Sequence, residues 1–283
     1  MSTETILSGL QFDMSDEVYH ARTELSSTGA RRILDSPARF QWEQTHRVES
    51  IAFDVGHAVH AKVLGKGPRV IPIPDEHLTP SGNVSTKAAT VVWLAEQRAA
   101  GLVPIGPADA ARIEAMVAAV LAHKGARKVL EQPDAHAEVS AFATDPETGV
   151  ACRARLDLLA ATAADLKTTA GSASAVGFGR EAAKHGYPIQ EAHYLDVIEW
   201  ATGERPPMVW VVVEKSAPHL VAVHALDDVT RLVARELAAK ARRIYAECLA
   251  ANDWPGYGDD TLTPFIPSWW INQADDEPEM EFS

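Results

Sequence analysis

Cysteine is scarce in this sequence: its 283 residues include only Cys152 and Cys248, and no CxxC pair. Two isolated cysteines make neither a disulfide framework nor a cysteine-based zinc or iron–sulfur site. No apolar run approaches the roughly 20 residues needed to cross a bilayer, and the first ten residues lack the basic and apolar regions of a secretory signal. We therefore expect a protein of the reducing cytoplasm without a membrane segment.

Positive charge is also in short supply. The chain carries 26 Lys and Arg against 39 Asp and Glu, a formal net charge of -13. This balance argues against a protein that coats DNA through diffuse attraction. It does not exclude local binding of DNA, because a basic groove can coexist with an acidic exterior. The phosphate-binding-loop pattern G-x-x-x-x-G-K-[ST] is missing too, which argues against a helicase motor in this sequence.

Apolar periodicity predicts helices first and a sheet afterwards. Helices are expected over 26–45, 52–65, 85–100 and 107–124, with a Pro- and Gly-rich loop over 66–84. Extended runs at 137–144 and 150–160 flank the turn sequence DPETG, and a short strand is expected over 163–167. Helices over 173–184, 187–202 and 228–251 and strands over 207–215 and 220–226 follow. This order predicts the α/β or α+β class, a mixed sheet flanked by helices.

The strongest chemical signal is the segment RLDLLAATAADLKTT. Asp157 lies late in one predicted strand and Asp165 in the next, so that a tight turn would bring the two aspartates together. Asp165 and Lys167 are two residues apart in a strand and therefore share a face. Carboxylates beside an ammonium suit phosphodiester hydrolysis, because the carboxylates hold Mg²⁺. The lysine can orient or deprotonate the attacking water, or balance the negative charge that develops on phosphorus. A surface hairpin with a salt bridge is the simpler alternative.

Two helical pairs give weaker signals. His57 and His60 lie three residues apart, a spacing found in zinc half-sites and equally in partly buried structural pairs. Gln190 and Tyr194 lie four apart and share one face of a predicted helix. An ordinary polar helix face would look the same, and we interpret Asp196 on that helix as part of a solvated face.

In order, the motifs GHAVH, RLDLL, DLKTT and YPIQEAHYLDVIEW resemble the RecE-type (exonuclease VIII) and RecB-type nuclease domains of the PD-(D/E)xK superfamily. The resemblance runs from about residue 17 to 271. It implies a single domain over 1–283 with a restriction-endonuclease-like core, in which a mixed central sheet is flanked by helices. Within it we expect a helical N-terminal extension of about 17–130, a nuclease core of about 131–252 and a C-terminal tail over 253–283.

The resemblance also implies a metal site. His60 matches the family's metal-binding helical histidine, and Asp157 and Asp165 match its acidic ligands. The Leu166 carbonyl is a further candidate ligand, and Glu138 matches a position where relatives often carry an acid. The expected cofactor is Mg²⁺, with Mn²⁺ also supporting activity.

The same resemblance implies roles for three more residues. Lys167 completes the (D/E)xK motif and would orient or deprotonate the attacking water. Gln190 and Tyr194 match a downstream Q-x-x-x-Y motif and would position Lys167 or the scissile phosphate. His57 does not match the family's histidine, and we interpret it as a packing or outer-shell residue.

The stretch ELSSTGARRILDSPARFQWE resembles the opening helix of the family. Ser26 and Ser27, at a helix N-terminus, would hold a phosphate, and Arg31 and Arg32 would follow a DNA backbone. A helix cap with a solvated basic face explains the same residues equally well. Relatives that contain an iron–sulfur cluster carry a cysteine before the proline of this helix, where Ser36 stands here, which argues against that branch.

Together these features imply metal-dependent exonucleolytic digestion of linear double-stranded DNA, running 5′ to 3′ and leaving 3′ single strands for recombination. The resemblance further implies a homo-oligomeric ring around DNA, a single-strand annealing protein as partner and a phage or prophage origin. Two alternatives stay open. One is an endonuclease or repair nuclease of the same fold, and the other is a DNA-binding module without catalysis.

Overall fold

A six-stranded sheet lies at the centre of the computed structural model, which describes residues 8–46, 55–67 and 69–266. Two further strands form a small separate sheet. The strands are β1 (Gly9–Gln11), β2 (Arg69–Pro72), β3 (Leu102–Ile105), β4 (His136–Thr144), β5 (Ala151–Leu159), β6 (Ala163–Thr169), β7 (Met208–Glu214) and β8 (Val221–His224).

The helices frame this sheet. They are α1 (Asp16–Ala21), α2 (Ser27–Asp35), α3 (Pro37–Thr45), α4 (Val55–Leu64), α5 (Ala88–Ala99), α6 (Pro107–Ala122), α7 (Lys124–Leu130), α8 (Ala175–His185), α9 (Tyr187–Thr202) and α10 (Asp228–Ala251). A short 3₁₀ helix lies at Asp75–His77.

The central sheet is mixed, with the strand order β1-β4-β5-β6-β7-β8. Strands β6 and β7 run parallel, whereas the other neighbouring pairs are antiparallel. The DPETG turn between β4 and β5 is fixed by Asp145, whose Oδ1 accepts from the Glu147 N–H (3.0 Å) and whose Oδ2 accepts from the Thr148 hydroxyl (2.8 Å). The predicted hairpin and the predicted mixed sheet are thus both confirmed.

Both faces of the sheet are buried. Alternate residues of β7 point to opposite faces, as in any strand: Trp210 and Val212 join a core with α2, α9 and α10, whereas Val211 and Val213 join a core with α4 and α6. This explains why β7 is an unbroken apolar run, as buried parallel strands are. The N-terminal helices therefore form layers of the same fold as the sheet.

The stretch predicted as one helix over 26–45 is two helices, and that prediction was wrong at Pro37. Proline lacks an N–H and disfavours helical backbone in the residue before it. Ser36 accordingly takes extended dihedrals (φ −165°, ψ 113°) between α2 and α3. Its side-chain oxygen then caps α3 by accepting from the Arg39 N–H (3.3 Å).

Several short elements were missed by the sequence analysis. They are β1, α1, β3 and α7, together with β2 and the 3₁₀ helix inside the segment expected to be a loop over 66–84. Elements this short carry too few residues to show a period. Residues 52–54 of the predicted helix 52–65 and residues 267–283 of the predicted tail lie outside the described residues. Within the described ranges, no helix is both long and apolar enough to span a membrane.

We expect Ile113→Ala to lower the free energy of unfolding by about 2–5 kcal/mol. Ile113 is 0% exposed on α6, in the core that joins this helix to the sheet. The matched control is Leu121→Ala on the same helix, which is 44% exposed and should change stability by less than about 0.5 kcal/mol. Urea unfolding measures both, and equal losses would contradict this packing.

Candidate active site

The two aspartates of the RLDLL and DLKTT motifs meet where β5 and β6 lie side by side. Leu158 of β5 pairs with Ala164 of β6, so that the residues next to them, Asp157 and Asp165, are also neighbours. The Asp157 Oδ2 accepts a hydrogen bond from the Leu166 N–H at 2.7 Å. The short hairpin thus brings together the residues that the sequence pattern predicted to be close.

Asp165 is almost fully buried, with 1% of its surface exposed, and both of its oxygens are engaged. Its Oδ1 forms an ion pair with the Lys167 Nζ. Its Oδ2 accepts from the Gln190 Nε2 of α9 at 2.7 Å. Gln190 therefore contacts the site through Asp165, and its role in positioning Lys167 or the scissile phosphate stays a prediction.

Lys167 is held in its charged form. Burial alone lowers the pKa of a lysine, but here the nearby carboxylates of Asp165 and Asp157 outweigh that effect, so that the pKa of Lys167 is raised. A lysine that keeps its proton in this way donates hydrogen bonds and offers positive charge.

A second cluster adjoins this pair and combines one imidazole with two carboxylates. His60 of α4, Glu138 of β4 and Asp157 of β5 each offer a ligand atom, and these atoms lie within 4.8 Å of one another. The His60 Nδ1 is 3.3 Å from the Asp157 Oδ2. The backbone of Leu166 also hydrogen-bonds to His60. The predicted metal ligands His60, Glu138 and Asp157 and the Leu166 backbone are thus gathered around one point.

The protonation of this cluster fits a divalent cation. Burial, followed by the charge of Asp165, raises the pKa of Asp157 to about 8, and a cation bound there would favour its charged form. Burial lowers the pKa of His60, which keeps its imidazole neutral, as metal binding requires. Oxygen ligands with one imidazole suit Mg²⁺ or Mn²⁺. Asp165 lies outside the cluster formed by the described residues, because its oxygens bind Lys167 and Gln190.

Glu138 adopts a strained backbone conformation, with φ at 55° inside a strand. Such a conformation in a residue other than glycine persists only where the surroundings fix it, often at functional sites. Arg155 supplies part of that fixation: its Nε donates to the Glu138 Oε2 at 2.9 Å, and its guanidinium also contacts Asp16 (3.1 Å) and the Met14 carbonyl (3.0 Å). Burial and the nearby Asp157 raise the pKa of Glu138.

Tyr194 lies on α9 near both aspartates, but its hydroxyl hydrogen-bonds to Ser27 of α2. Burial raises its pKa well above that of an ordinary tyrosine, so that it stays neutral. Ser27, predicted to hold a phosphate, thus links two helices beside the site. The direct action of Tyr194 on Lys167 or phosphate stays a prediction.

The other predicted DNA contacts are already engaged within the protein. Ser26 caps α2 by accepting from the Gly29 N–H at 3.1 Å. Arg31 donates to the His185 carbonyl, and Arg32 forms an ion pair with Glu43 at 2.8 Å. Their binding to DNA stays a prediction, and it would require these side chains to exchange or share their present partners.

Two interpretations of polar residues were wrong. Asp196 is not on a solvated face, because it is 1% exposed and its carboxylate binds Arg242 at 2.9 Å and Arg205 at 2.7 Å. His57 does not pack in the interior, because it lies on the exposed side of α4 while His60 faces Asp157; the alternative outer-shell role of His57 stays a prediction.

We expect the affinity for Mn²⁺ to rise by up to about tenfold per pH unit between pH 6 and 8, because Asp157 must lose its proton to bind metal. Its pKa of about 8 places this change in that window, whereas His60 with its lowered pKa is already neutral there. Asp157→Asn should weaken binding and reduce the pH dependence. Asp109→Asn, at a half-exposed position on α6, is the control. Calorimetry at several pH values measures both, and a pH-independent affinity in the wild type would contradict the assignment.

Comparison with solved structures supports the fold. A proposed exonuclease from Eubacterium rectale aligns with a TM-score of 0.58 at 14% identity, over 92% of this chain and 98% of that chain. The crystal structure of SSO0001 aligns with a TM-score of only 0.27 at 14% identity, over 66% of this chain and 84% of the other. At this identity the first match shows a shared fold, and the second carries no argument.

Sequence comparison identifies the family. No curated protein matches the chain significantly. Residues 26–261 match the family described as a PDDEXK-like domain of unknown function, and this range contains helices α2 to α10, strands β2 to β8 and every candidate site residue. The predicted α/β fold of the PD-(D/E)xK type is thereby confirmed. The chain belongs to the PDDEXK-like family of unknown function, DUF3799.

Proposed function

We propose that this protein is a metal-dependent exodeoxyribonuclease that digests linear double-stranded DNA. The observation that carries the proposal is the meeting of two features: the Asp165–Lys167 ion pair and the cluster of His60, Glu138 and Asp157. Asp157 belongs to the cluster and also raises the pKa of Lys167, so the two features form one electrostatic unit. This combination of metal ligands and a nearby cation suits phosphodiester hydrolysis.

In this proposal His60, Glu138 and Asp157 hold Mg²⁺ or Mn²⁺, and Asp165 joins them if it turns from Lys167. The bound metal supplies charge that activates water and stabilises the phosphorane. Lys167, protonated in the described geometry, stabilises negative charge on the phosphate and acts as a donor. Gln190 keeps the Asp165 carboxylate oriented toward this ammonium.

The proposal extends to the direction of digestion and to the biological role. The resemblance to RecE-type nucleases supports digestion from 5′ to 3′ that leaves 3′ single strands for recombination, and the proposed exonuclease activity of the Eubacterium rectale protein is in keeping with action at DNA ends. We propose a single-strand annealing protein as partner, a phage or prophage origin and action in the host cytoplasm. Each of these rests on analogy.

Several copies of the chain are proposed to form a ring around DNA. A net charge of -13 disfavours diffuse DNA binding. A ring, however, can carry acidic residues on its outer surface and basic residues around its central hole. An exposed apolar stripe on α10, formed by Val229, Leu232, Val233 and Leu237, favours contact with another protein surface.

We expect light scattering to give a mass that is a multiple of one chain, and Leu232→Glu to lower that mass because it places a charge in the stripe. The matched control is Val91→Glu on the exposed side of α5, which should leave the mass unchanged. A monomeric wild type would contradict the ring.

We expect Lys167→Ala to lower the rate of DNA cleavage by about 10²–10³-fold, because a charge aimed at the phosphorane is removed. Lys128→Ala, at an exposed position on α7, is the control and should retain full activity. The substrate is linear duplex DNA labelled at each end separately, with Mg²⁺, Mn²⁺ or EDTA, beside closed circular DNA.

Metal-dependent loss of one strand polarity from linear DNA, with circles intact, supports the exonuclease. Cleaved circles would instead indicate an endonuclease of the same fold. DNA binding without cleavage in any divalent metal would contradict catalysis and indicate a binding module.

A further inference from the structure

The Lys167 ammonium lies against two aromatic rings. Its Nζ is 5.1 Å from the ring centroid of Tyr187 and 5.5 Å from that of Trp210. Both distances fall within the roughly 6 Å over which the face of an aromatic ring attracts a cation. The two rings are stacked on each other, with centroids 5.2 Å apart and planes inclined by 18°. The ammonium therefore has an aromatic wall in addition to its ion pair with Asp165.

Trp210 forms the rigid half of this wall. It is 0% exposed on β7, in register with Asp165 on the parallel neighbour β6. Its indole N–H donates to the Glu191 Oε2 at 2.8 Å, and the Glu191 Oε1 in turn accepts from the Arg231 Nε at 2.9 Å. A ring that is packed and hydrogen-bonded in this way has a fixed orientation.

Tyr187 forms the other half and is placed by a tight corner between α8 and α9. The preceding residue, Gly186, has a φ of +65°, and a Cβ there would lie 2.6 Å from the Arg31 Cδ. Arg31 also donates to the His185 carbonyl at the end of α8. A side chain at this position would require left-handed backbone and a shift of the Arg31 side chain, which favours glycine. The corner starts α9 with the Tyr187 ring beside Lys167.

We infer that Tyr187 is a positioning residue for Lys167, which it holds through the face of its ring. A lysine side chain has many rotamers, and a single carboxylate on one side leaves most of them open. The ring wall closes the opposite side, so that the ammonium stays beside Asp165, where a phosphate bound at the neighbouring cluster would meet it. The inference rests on the proposed nuclease function.

Core packing is the competing explanation for the position of Tyr187. A variant of Phe178 distinguishes core packing from the positioning of Lys167. Phe178 stacks at 6.1 Å on Tyr187 and at 6.1 Å from Trp210, and it is 5% exposed, so it belongs to the same aromatic core. The structure gives it no contact with the Lys167 ammonium among the described ring contacts. Loss of packing should therefore appear in variants at both positions, but loss of lysine positioning only at Tyr187.

The kinetic test uses the full chain, linear duplex DNA and Mg²⁺. Tyr187→Leu should lower kcat by about tenfold, since one ring contact with the Lys167 ammonium is lost. It should leave KM within about threefold of the wild-type value, since the inference gives Tyr187 no role in substrate binding. Tyr187→Phe keeps the ring face and should retain kcat within about threefold. Phe178→Leu should also retain kcat within about threefold, although it lowers stability.

An NMR test reads the ring contact without any DNA cleavage. The chain contains nine lysines, so selective labelling of lysine Cε gives few signals, and the one missing from Lys167→Arg identifies Lys167. Ring currents should shift that signal upfield of the other lysines in the wild type and in Tyr187→Phe. Tyr187→Leu should move it back toward them.

A Lys167 signal that Tyr187→Leu leaves in place would overturn the inference, as would a signal that moves while kcat stays unchanged. Equal losses of kcat in Tyr187→Leu and Phe178→Leu would also overturn it, in favour of core packing. A wild type that cleaves no DNA in any metal would overturn the proposed function itself, and the NMR spectrum would still decide where the ammonium lies.

Discussion

Burial of the Asp165 carboxylate is the constraint on which the candidate site depends. Removing a charge from water costs several kcal/mol unless partners replace the lost hydration. Those partners come from two elements: Lys167 follows on the same strand, and Gln190 reaches in from α9. The position of α9 relative to β6 is therefore coupled to the geometry of the site. One buried carboxylate thus orients the ammonium that the proposed chemistry needs.

A second buried network holds α9 at that position. Arg242 of α10 donates to Asp145 in the β4–β5 turn and to Asp196 of α9, both at 2.9 Å. Arg205 adds a further contact to Asp196 at 2.7 Å. Breaking such a buried network by removing one partner costs about 3–5 kcal/mol, because the remaining charge is left unpaired. The network joins two helices to the hairpin that carries Asp157, on the side of the sheet opposite His60.

The parts of the site that are close in sequence were predictable. Asp157, Asp165 and Lys167 lie within eleven residues of one another, and strand alternation with a short turn is enough to bring them together. His60 and Gln190 come from distant helices, so their helical spacing gave only a weak signal and the family resemblance suggested their roles. The central sheet was predictable for a similar reason, because long alternating or apolar runs show a clear period.

What the sequence could not provide depends on distant partners. Asp196 looks like any acid on a polar helix, and only the approach of Arg242 from α10 makes its burial possible. The positive φ of Glu138 leaves no trace in its residue type, since glutamate rarely adopts this conformation. The Tyr187–Trp210 wall joins a helix start to a strand twenty-three residues later, and no motif records that contact. The helix break at Pro37 could have been predicted from the sequence, because proline disfavours helical backbone in the residue before it.

Anomalous diffraction from crystals soaked with Mn²⁺ tests the proposed metal site most directly. We expect a manganese peak bound by Asp157 and His60, with Glu138 or the Leu166 carbonyl close by and Lys167 on the Asp165 side. A peak elsewhere with this cluster empty, or no peak at concentrations that support DNA cleavage, would contradict the claim that these residues form one metal-dependent site.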